Sequence, residues 1–408
     1  MARISAVKSV SKKILIAEDD PVSLKILEAM LQQWGYEVLK AVDGAQARNL
    51  YQAHPDIQLI ISDWMMPNID GIDLCRFVRG LNRNGCYTYF ILLTAKSQVD
   101  DLVIGINAGA DDFIAKPFNR FELQARLHAG RRIVELENEL ARKLAEISKA
   151  YLLMEQDLEA AAIVQRSMLP PVGASFPGIK YAYHFTPCNR IGGDLFNLVP
   201  LDDSQVAVYI LDVAGHGVPA ALKAVSLSWL LAPQKPNYRV LFEDLPNGQL
   251  CAAPPKNVLG KLNSHAQSTD SSGKFITFLY GIFNAETKQF TYSRAGHPYP
   301  IHISGGRFIP HTPPEDIPLG IIQDYVYSQC AIEMRPGDRI YFYTDGISET
   351  ENPAGEQFSE CRIISDLLAS SNSTLDESIS ILINYINQWK CGNEASDDVS
   401  ILGIEING

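Results

Sequence analysis

The sequence predicts an α/β region followed by a long helix and then an α+β region, and three observations support this. Short apolar runs alternate with amphipathic segments from Lys12 to about Arg126, which is typical of a doubly wound parallel sheet. From Phe121 to about Met168 the chain is rich in Ala, Leu, Glu, Lys and Arg, without glycine after Gly130, which predicts one long helix. From Pro177 onward, strand-like runs joined by short polar turns predict two antiparallel sheets flanked by helices.

Length and charge limit the classes of protein to consider. A chain of 408 residues with 46% hydrophobic residues has enough material for two or three domains. Its net charge of -12 argues against non-specific nucleic-acid binding and against anionic membranes as partners. The seven cysteines are scattered without zinc-ligand spacing, and no apolar run approaches the ~18 residues of a membrane span. We therefore expect a cytoplasmic protein with reduced thiols and a loose tail at residues 1–11.

Polar residues follow the apolar runs of the first region. Ligands of doubly wound sheets sit at the carboxyl ends of the strands, so the residues there are candidates for a site. Glu18 and Asp19 follow the first run, Asp63 the third, Thr94 the fourth and Lys116 the fifth. The acids suit Mg²⁺, and the Asp63 carboxylate could attack phosphorus to form an acyl phosphate. Thr94 and Lys116 would then hydrogen-bond to the phosphoryl oxygens and neutralise their charge.

With these residues, positions 12–128 resemble the receiver domain of two-component response regulators. The resemblance implies that Asp63 accepts a phosphoryl group from a histidine kinase or a phosphotransfer protein. It also implies a Mg²⁺ site, whose residues are Glu18, Asp19, Asp63 and the carbonyl of Met65.

Thr94, Lys116 and Phe113 match the family's switch residues, with Phe113 in place of the commoner tyrosine. A phenylalanine lacks the hydroxyl through which a tyrosine can signal to a partner surface. The alternative is a degenerate receiver that never takes phosphate, but every polar position of the site is filled.

Residues 129–168 are predicted to form a helical linker with a heptad stripe. Its apolar positions are Ile133, Leu136, Leu140, Leu144, Ile147, Tyr151, Met154, Leu158 and Ala161. This spacing, with one irregular step, predicts a parallel coiled-coil homodimer. The alternative is an amphipathic helix packed on its own domain. In either case, a change in the packing of the helix could bias a site at each of its ends.

The C-terminal half contains four short acidic segments, at 191–194, 212–217, 344–346 and 397–400. Three of them contain glycine together with an aspartate, and two directly follow strand-like runs. Glycine permits sharp turns and close backbone approach, and converging carboxylates suit a hard divalent cation. A single aspartate beside glycine is more often a turn residue, but four such segments in one half of a chain favour a metal site.

The ordered set GGD, DxxGHG, TDG and DDVS resembles the PPM-type serine/threonine phosphatases, in particular the bacterial branch typified by the sporulation phosphatase. The predicted domain is 169–408. The resemblance implies two Mn²⁺ or Mg²⁺ ions that activate a water to attack a phosphoserine or phosphothreonine. Asp212 would bridge the ions with help from the Val213 carbonyl. Asp194 would bind one ion, and Asp345 and Asp397 the other.

Four further residues are weaker candidates. Gly193 and His216 lie within the acidic segments, Asp398 could replace Asp397 as the ligand, and Arg190 could bind the substrate phosphate. Asn197 stands where the branch often has an aspartate, so an outer carboxylate would be missing.

The combined reading is a bacterial response regulator in which phosphorylation of Asp63 controls a metal-dependent phosphatase. By resemblance, the substrate would be a phosphorylated anti-sigma factor antagonist in a partner-switching pathway. The alternative is an inactive pseudophosphatase that acts as a phosphorylation-controlled binding protein. A cyclic-dinucleotide synthase is excluded, because Leu195 and Phe196 follow the GGD segment where that enzyme needs an acid.

Overall fold

The computed structural model describes residues 11–81, 86–95, 99–232, 240–246, 249–269, 274–312, 314–393 and 396–407, with backbone alone for 99–102. The chain folds as two compact units, Met1–Leu153 and Met154–Gly408. The boundary between them lies inside the predicted linker, within one continuous helix, Arg120–Arg166. None of the helices in the described ranges is both long enough and apolar enough to cross a membrane.

The first unit is a parallel five-stranded sheet with helices on both faces. Its strands are β1 (Lys13–Ala17), β2 (Glu37–Ala41), β3 (Leu59–Asp63), β4 (Tyr89–Thr94) and β5 (Asp112–Ala115). Its helices are α1 (Pro21–Gln33), α2 (Gly44–Ala53), α3 (Gly71–Gly80), α4 (Val99–Asn107) and α5 (Arg120–Arg166). The strand order is β2-β1-β3-β4-β5, and every pairing is parallel.

Alternation along the strands builds a core on each face of this sheet. Leu15, Ile60 and Leu92 face a cluster with α2 and α3, whereas Ile14, Ile61 and Leu93 face a cluster with α1 and α5. A strand buried on both faces reads as a continuous apolar run, which is why three of the strands were predictable from the sequence. The predicted doubly wound fold is confirmed.

Helix α5 extends over 47 residues, or ~70 Å at 1.5 Å per residue. Its first turns belong to the receiver-like core through the buried residues Leu123, Leu127 and Val134. Further along, the stripe residues Leu136, Leu140 and Leu144 are each more than half exposed in the single chain. The predicted long helix is confirmed, and the coiled-coil dimer stays a prediction.

The second unit contains two antiparallel five-stranded sheets. The first has the order β15-β12-β11-β8-β7, and its strands are β7 (Leu195–Pro200), β8 (Gln205–Val213), β11 (Ile276–Asn284), β12 (Gln289–Ala295) and β15 (Cys330–Glu333). The second has the order β14-β13-β16-β17-β6, and its strands are β6 (Ile179–Thr186), β13 (Ile301–Ser304), β14 (Arg307–Ile309), β16 (Arg339–Tyr343) and β17 (Val399–Ile406). A separate hairpin pairs β9 (Phe242–Asp244) with β10 (Leu250–Ala252).

Helices cover the outer face of each sheet. They are α6 (Val218–Leu230), α7 (Pro255–Thr269), α8 (Asp345–Ser348), α9 (Glu360–Ala369) and α10 (Leu375–Trp389). One apolar cluster joins the two sheets, a second joins the first sheet to α6 and α7, and a third joins the second sheet to α9 and α10. The order of layers is therefore helix, sheet, sheet, helix, as the predicted α+β fold requires.

Candidate functional sites

In the first unit, the predicted acidic residues meet at one edge of the parallel sheet. Glu18 and Asp19 follow β1, and Asp63 ends β3, the neighbouring strand. Ligand oxygens of these three carboxylates lie within 4.8 Å of one another. Glu18 is fully buried, Asp63 nearly so, and Asp19 is exposed. Three carboxylate oxygens in such proximity fit a Mg²⁺ ion, which prefers oxygen ligands.

Lys116 lies within this acidic group. Its Nζ atom donates to Asp63 Oδ2 at 2.7 Å and to the two carboxylate oxygens of Glu18 at 2.7 and 2.9 Å. Burial lowers the pKa of Lys116, but the hydrogen bonds to Asp63 and Glu18 outweigh burial, so the net shift is upward. For Glu18, burial raises the carboxyl pKa, and this effect is larger than the lowering caused by the hydrogen bond from Lys116. The lysine is thus held charged beside the proposed phosphoacceptor.

The remaining predicted residues surround the same edge. Thr94 is buried at the end of β4, and Met65, two residues beyond Asp63, has an exposed side chain. The Phe113 ring packs into the core against α4, where a Cβ atom added at Gly105 would lie only 2.4 Å from the ring. Gly105 therefore leaves the space that the Phe113 ring occupies, a role that the sequence reasoning did not identify. A lone glycine in a helical segment that faces an aromatic strand residue was the available signal.

The second unit gathers the other acidic segments at the adjoining ends of its two sheets. Asp194 directly precedes β7, Asp212 lies near the end of β8, and Asp345 begins α8, with one residue between it and β16. Asp397 and Asp398 directly precede β17. The charges of Asp345, Asp397 and Asp398 act on the carboxyl of Asp212, and the charge of Asp212 acts on that of Asp194, so these groups lie close together. The five carboxylates therefore form one acidic cluster, which we call the acidic centre.

Glycines allow the segments of the acidic centre to approach closely. A Cβ atom at Gly346 would lie 2.0 Å from the carbonyl oxygen of Asp398, and one at Gly193 would lie 2.9 Å from the carbonyl oxygen of Val213. Both distances are below what a side chain tolerates, so only glycine fits without moving the backbone. Gly193 thus has a packing role beside the site.

Burial and mutual repulsion dominate the electrostatics of the acidic centre. Burial raises the pKa of Asp194 well above its usual range, with further contributions from Asp212 and Asp398. Burial, followed by the charges of Asp345, Asp397 and Asp398, raises the pKa of Asp212 to about 7. Burial raises the pKa of Asp345 and of Asp397 as well. Clustered oxygen donors with raised pKa values fit hard divalent cations such as Mn²⁺ or Mg²⁺.

The two neighbouring aspartates Asp397 and Asp398 have different surroundings. Asp398 is 2% exposed, and its carboxylate accepts backbone N–H groups of Cys188 at 2.8 Å, Gly193 at 2.5 Å and Asp194 at 3.2 Å. Asp397 is half-buried and accepts from the backbone N–H of Asp398 at 2.8 Å. Asp398 therefore fastens the GGD loop, which supports Asp397 as the metal ligand of the pair.

A thiol lies beside this pair. Within the described residues, Cys188, Asp397 and Asp398 place one ligand atom each within 4.8 Å of the others, whereas the predicted ligands Asp194, Asp212 and Asp345 do not form so tight a group. Burial and Asp398 raise the pKa of the Cys188 thiol to about 12, so it stays protonated at neutral pH. A protonated thiol is a poor ligand for hard cations.

The weaker candidates have specific contacts. His216 is exposed and lies 3.5 Å from the Asn189 amide. It interacts electrostatically with Asp397, although burial is the larger effect and raises the pKa of that carboxyl, so His216 stands near the acidic centre. Arg190 pairs instead with Glu155 at 3.1 Å and Glu159 at 3.7 Å on α5. Those contacts favour a structural role for Arg190 over phosphate binding.

Two polar residues near the acidic centre support it from outside the predicted ligand set. The Thr344 hydroxyl donates to Asp194 Oδ2 at 2.7 Å, a role that the TDG motif alone did not indicate. The Asn197 amide donates to the Met168 carbonyl at 2.7 Å. An aspartate at 197 would lack that donor, so the asparagine matches the contact that it makes.

His297 is fully buried, and its Nδ1 atom lies 2.9 Å from the Thr277 hydroxyl. Burial, together with the charge of Arg294, lowers the pKa of His297 to about 3. A neutral, buried imidazole is consistent with a structural role for His297.

Comparison with known proteins identifies the two regions. The family model described as Response regulator receiver domain matches residues 14–128, and the model described as Stage II sporulation protein E (SpoIIE) matches residues 202–407. The second match covers just over half of the chain.

Curated relatives match the first region. Response regulator GtcR of Aneurinibacillus migulanus is 41% identical over 119 residues, which are 29% of this chain and 47% of GtcR. The probable transcriptional regulator ycf27 of Guillardia theta is 41% identical over 119 residues, which are 29% of this chain and 44% of that protein. The chain therefore spans less than half the length of these relatives.

Among solved structures, the SiaA-PP2C domain of Pseudomonas aeruginosa is similar, with a TM-score of 0.52 and 19% identity over 63% of this chain and 99% of that domain. At this identity the likeness shows the fold alone. The matched segments contain Asp63 in the first region and Asp212, Asp345 and Asp397 in the second. The chain belongs to the Stage II sporulation protein E (SpoIIE) family, with a PPM-type phosphatase domain that follows a response regulator receiver domain.

Proposed function

We propose that this protein is a response regulator in which phosphorylation of Asp63 controls a metal-dependent phosphoserine/phosphothreonine phosphatase. The observation that carries the proposal is the acidic centre, in which five carboxylates converge from segments up to about 200 residues apart. The other unit of the same chain contains a second acidic site with a lysine in place. A chain with both sites has the residues needed for phosphoryl transfer at the receiver site and for hydrolysis at the acidic centre.

At the receiver site, Asp63 would attack the phosphorus of a phosphohistidine supplied by a kinase or phosphotransfer protein. Glu18, Asp19, Asp63 and the Met65 carbonyl would hold Mg²⁺, which neutralises phosphoryl charge when bound. Lys116 already donates to Asp63 at 2.7 Å and is placed to donate to a phosphoryl oxygen. Thr94, at the end of the adjacent strand β4, would donate to another oxygen.

At the acidic centre, Asp194, Asp212, Asp345 and Asp397, with the Val213 carbonyl, would hold two Mn²⁺ or Mg²⁺ ions. When bound, these ions supply an activated water and neutralise charge on the phosphoryl group. The chain itself orients the ligands, through Thr344 on Asp194 and through Asp398 on the GGD loop. His216, exposed near Asp397, is placed to meet a phosphorylated substrate.

We infer the substrate class and the assembly from the family and from α5. The proposed substrate is a phosphorylated anti-sigma factor antagonist in a partner-switching pathway, and membership of the SpoIIE family supports it. The proposed homodimer forms through the exposed stripe of α5, because apolar side chains at heptad spacing gain by burial against a second copy.

The test measures hydrolysis of a generic aryl phosphate by the full chain with Mn²⁺, before and after treatment with beryllofluoride, which mimics phospho-aspartate. We expect Mn²⁺-dependent turnover whose rate changes with beryllofluoride. In Asp63→Asn, the rates with and without beryllofluoride should be equal.

Two results would contradict the proposal in different ways. An unchanged response in Asp63→Asn would contradict the phosphoacceptor assignment. Absence of turnover in both states, with Mn²⁺ binding shown by calorimetry and no hydrolysis of phosphoserine proteins, would favour a binding protein.

A further inference from the structure

The side chain of Gln165 binds the backbone of the GGD loop. Gln165 lies in the last turn of α5 and is 3% exposed. Its Nε2 atom donates to the Gly192 carbonyl at 2.7 Å and to the Asp194 carbonyl at 3.4 Å, and its Oε1 atom accepts from the Gly192 N–H at 3.2 Å. Both ends of the amide are therefore used on the loop that carries a proposed metal ligand.

The same face of α5 makes further contacts with this loop. Ala162, one turn before Gln165, packs in an apolar cluster with Ile191 and Ala221. Two turns before Gln165, Glu159 faces Arg190 at 3.7 Å, but that pair is about half exposed and contributes little. The buried amide of Gln165 is the side chain of α5 that hydrogen-bonds directly to the backbone of this loop.

The loop is also held from its other side. The Asp398 carboxylate accepts the N–H groups of Gly193 and Asp194 at 2.5 and 3.2 Å. The backbone polar groups of residues 192–194 are thus shared between the amide of Gln165 and the carboxylate of Asp398. If either partner is removed, buried backbone groups lose their hydrogen bonds, and the loop must shift or accept that cost.

We propose that Gln165 is a positioning residue for the acidic centre, through which the end of α5 sets the placement of Asp194 and hence the affinity for the divalent ions. The proposal rests on the proposed function of the acidic centre as a metal site. Glutamine is suited to this role, because an amide offers a donor and an acceptor together. Methionine has similar length and no comparable polar pair.

The test compares Mn²⁺ binding by isothermal titration calorimetry in the wild-type full chain, Gln165→Met and Gln156→Met. Gln156 is exposed on the same helix, so it provides the matched substitution away from the loop. We expect Gln165→Met to weaken Mn²⁺ binding about 10- to 100-fold, as is usual for residues that orient a metal ligand, and Gln156→Met to bind as the wild type does. Wild-type affinity in folded Gln165→Met would overturn the proposal.

If Gln165→Met does not fold, the same calorimetric comparison is made with Gln165→Glu. This variant keeps an acceptor for the Gly192 N–H and loses the donor to both carbonyls.

A third measurement needs no variant. Mn²⁺ should slow hydrogen exchange at the Gly192 amide of the wild type, and an unchanged rate would contradict the proposal. Calorimetry does not depend on turnover. A wild type that binds Mn²⁺ but hydrolyses no phosphate would therefore refute the phosphatase function and leave the role of Gln165 supported.

Discussion

The two acidic sites of this chain balance their charge in different ways. The receiver site contains its own cation, because Lys116 contacts both Glu18 and Asp63 within 3 Å. In the acidic centre, no carboxylate forms an ion pair with lysine or arginine in the part of the chain that the structure describes. Burial, followed by the charges of neighbouring carboxylates, raises the pKa values of Asp194 and Asp212. The comparison teaches that the first site balances part of its charge with its own lysine, whereas the acidic centre would need bound cations to balance its charge.

The strongest test of this contrast removes a ligand from the acidic centre. We expect Asp345→Ala to lower Mn²⁺-dependent phosphatase activity at least ~100-fold, since loss of a ligand should exceed the effect of losing an orienting residue. The metal-free variant should nevertheless unfold at or above the wild-type temperature, because one repelling carboxylate is gone. Assays across Mn²⁺ concentrations and thermal unfolding in EDTA check both points, and wild-type turnover would contradict the metal-site assignment.

Conversely, Lys116→Met should make the receiver site behave like the acidic centre. We expect the loss of this partly buried cation to destabilise the Mg²⁺-free protein by about 2 kcal/mol, less than a fully buried pair would cost. Added Mg²⁺ should restore more stability to the variant than to the wild type. Denaturant unfolding with and without Mg²⁺ measures this difference, and equal Mg²⁺ effects in the two proteins would argue against the contrast.

The pH dependence of stability should differ with and without metal. The folded pKa of Asp212 is raised to about 7, above its ordinary value of 3.8, so its burial is tolerated best when the carboxyl is protonated. Stability of the metal-free protein should therefore be greatest below about pH 4 for this group and be lost as pH rises towards 7, by up to about 1.4 kcal/mol per pH unit. We expect Asp212→Asn to flatten this slope in EDTA. An identical slope in the variant would exclude Asp212 as its source.

The smallest expected effects on stability distinguish the role of Asp397 from that of Asp398. Asp398→Asn should cost about 1 kcal/mol of unfolding free energy without metal, because an amide cannot accept all three backbone N–H groups. Asp397→Asn should leave metal-free stability nearly unchanged and weaken Mn²⁺ binding. Calorimetry and unfolding of the two variants check this, and the reverse pattern would assign the ligand to Asp398.

Both folds were predictable where buried strands read as apolar runs. The edge strand β2 was not predicted, because only Ala41 of its residues is buried and the segment lacks an apolar run. Strand β7 and the short strands β9, β10, β13, β14 and β15 were likewise missed. Strands of three or four residues lie below the length at which alternation is informative.

The candidate ligands were predictable because their residue types and strand-end positions are local properties. The supporting contacts were not, since Asp398 meets Gly193 across 205 residues and Gln165 meets Gly192 across 27. The residues around Asp398 and around Gln165 do not by themselves indicate which distant backbone group each side chain contacts. For Gln165, the local signal was its position directly after the apolar run from Ala160 to Val164.

The tie between Asp398 and the GGD loop has a consequence for protein synthesis. Strand β17 pairs with β6 and β16, and Asp398 just before it supplies the acceptor for the loop around Gly193. A nascent chain can form β7 and β8 while β17 is still inside the ribosome, but it lacks Asp397 and the acceptor that fixes Asp194. Such long-range pairings form late, because loop closure must precede them. The acidic centre therefore cannot bring its five carboxylates together before residue 398 has been translated and has emerged.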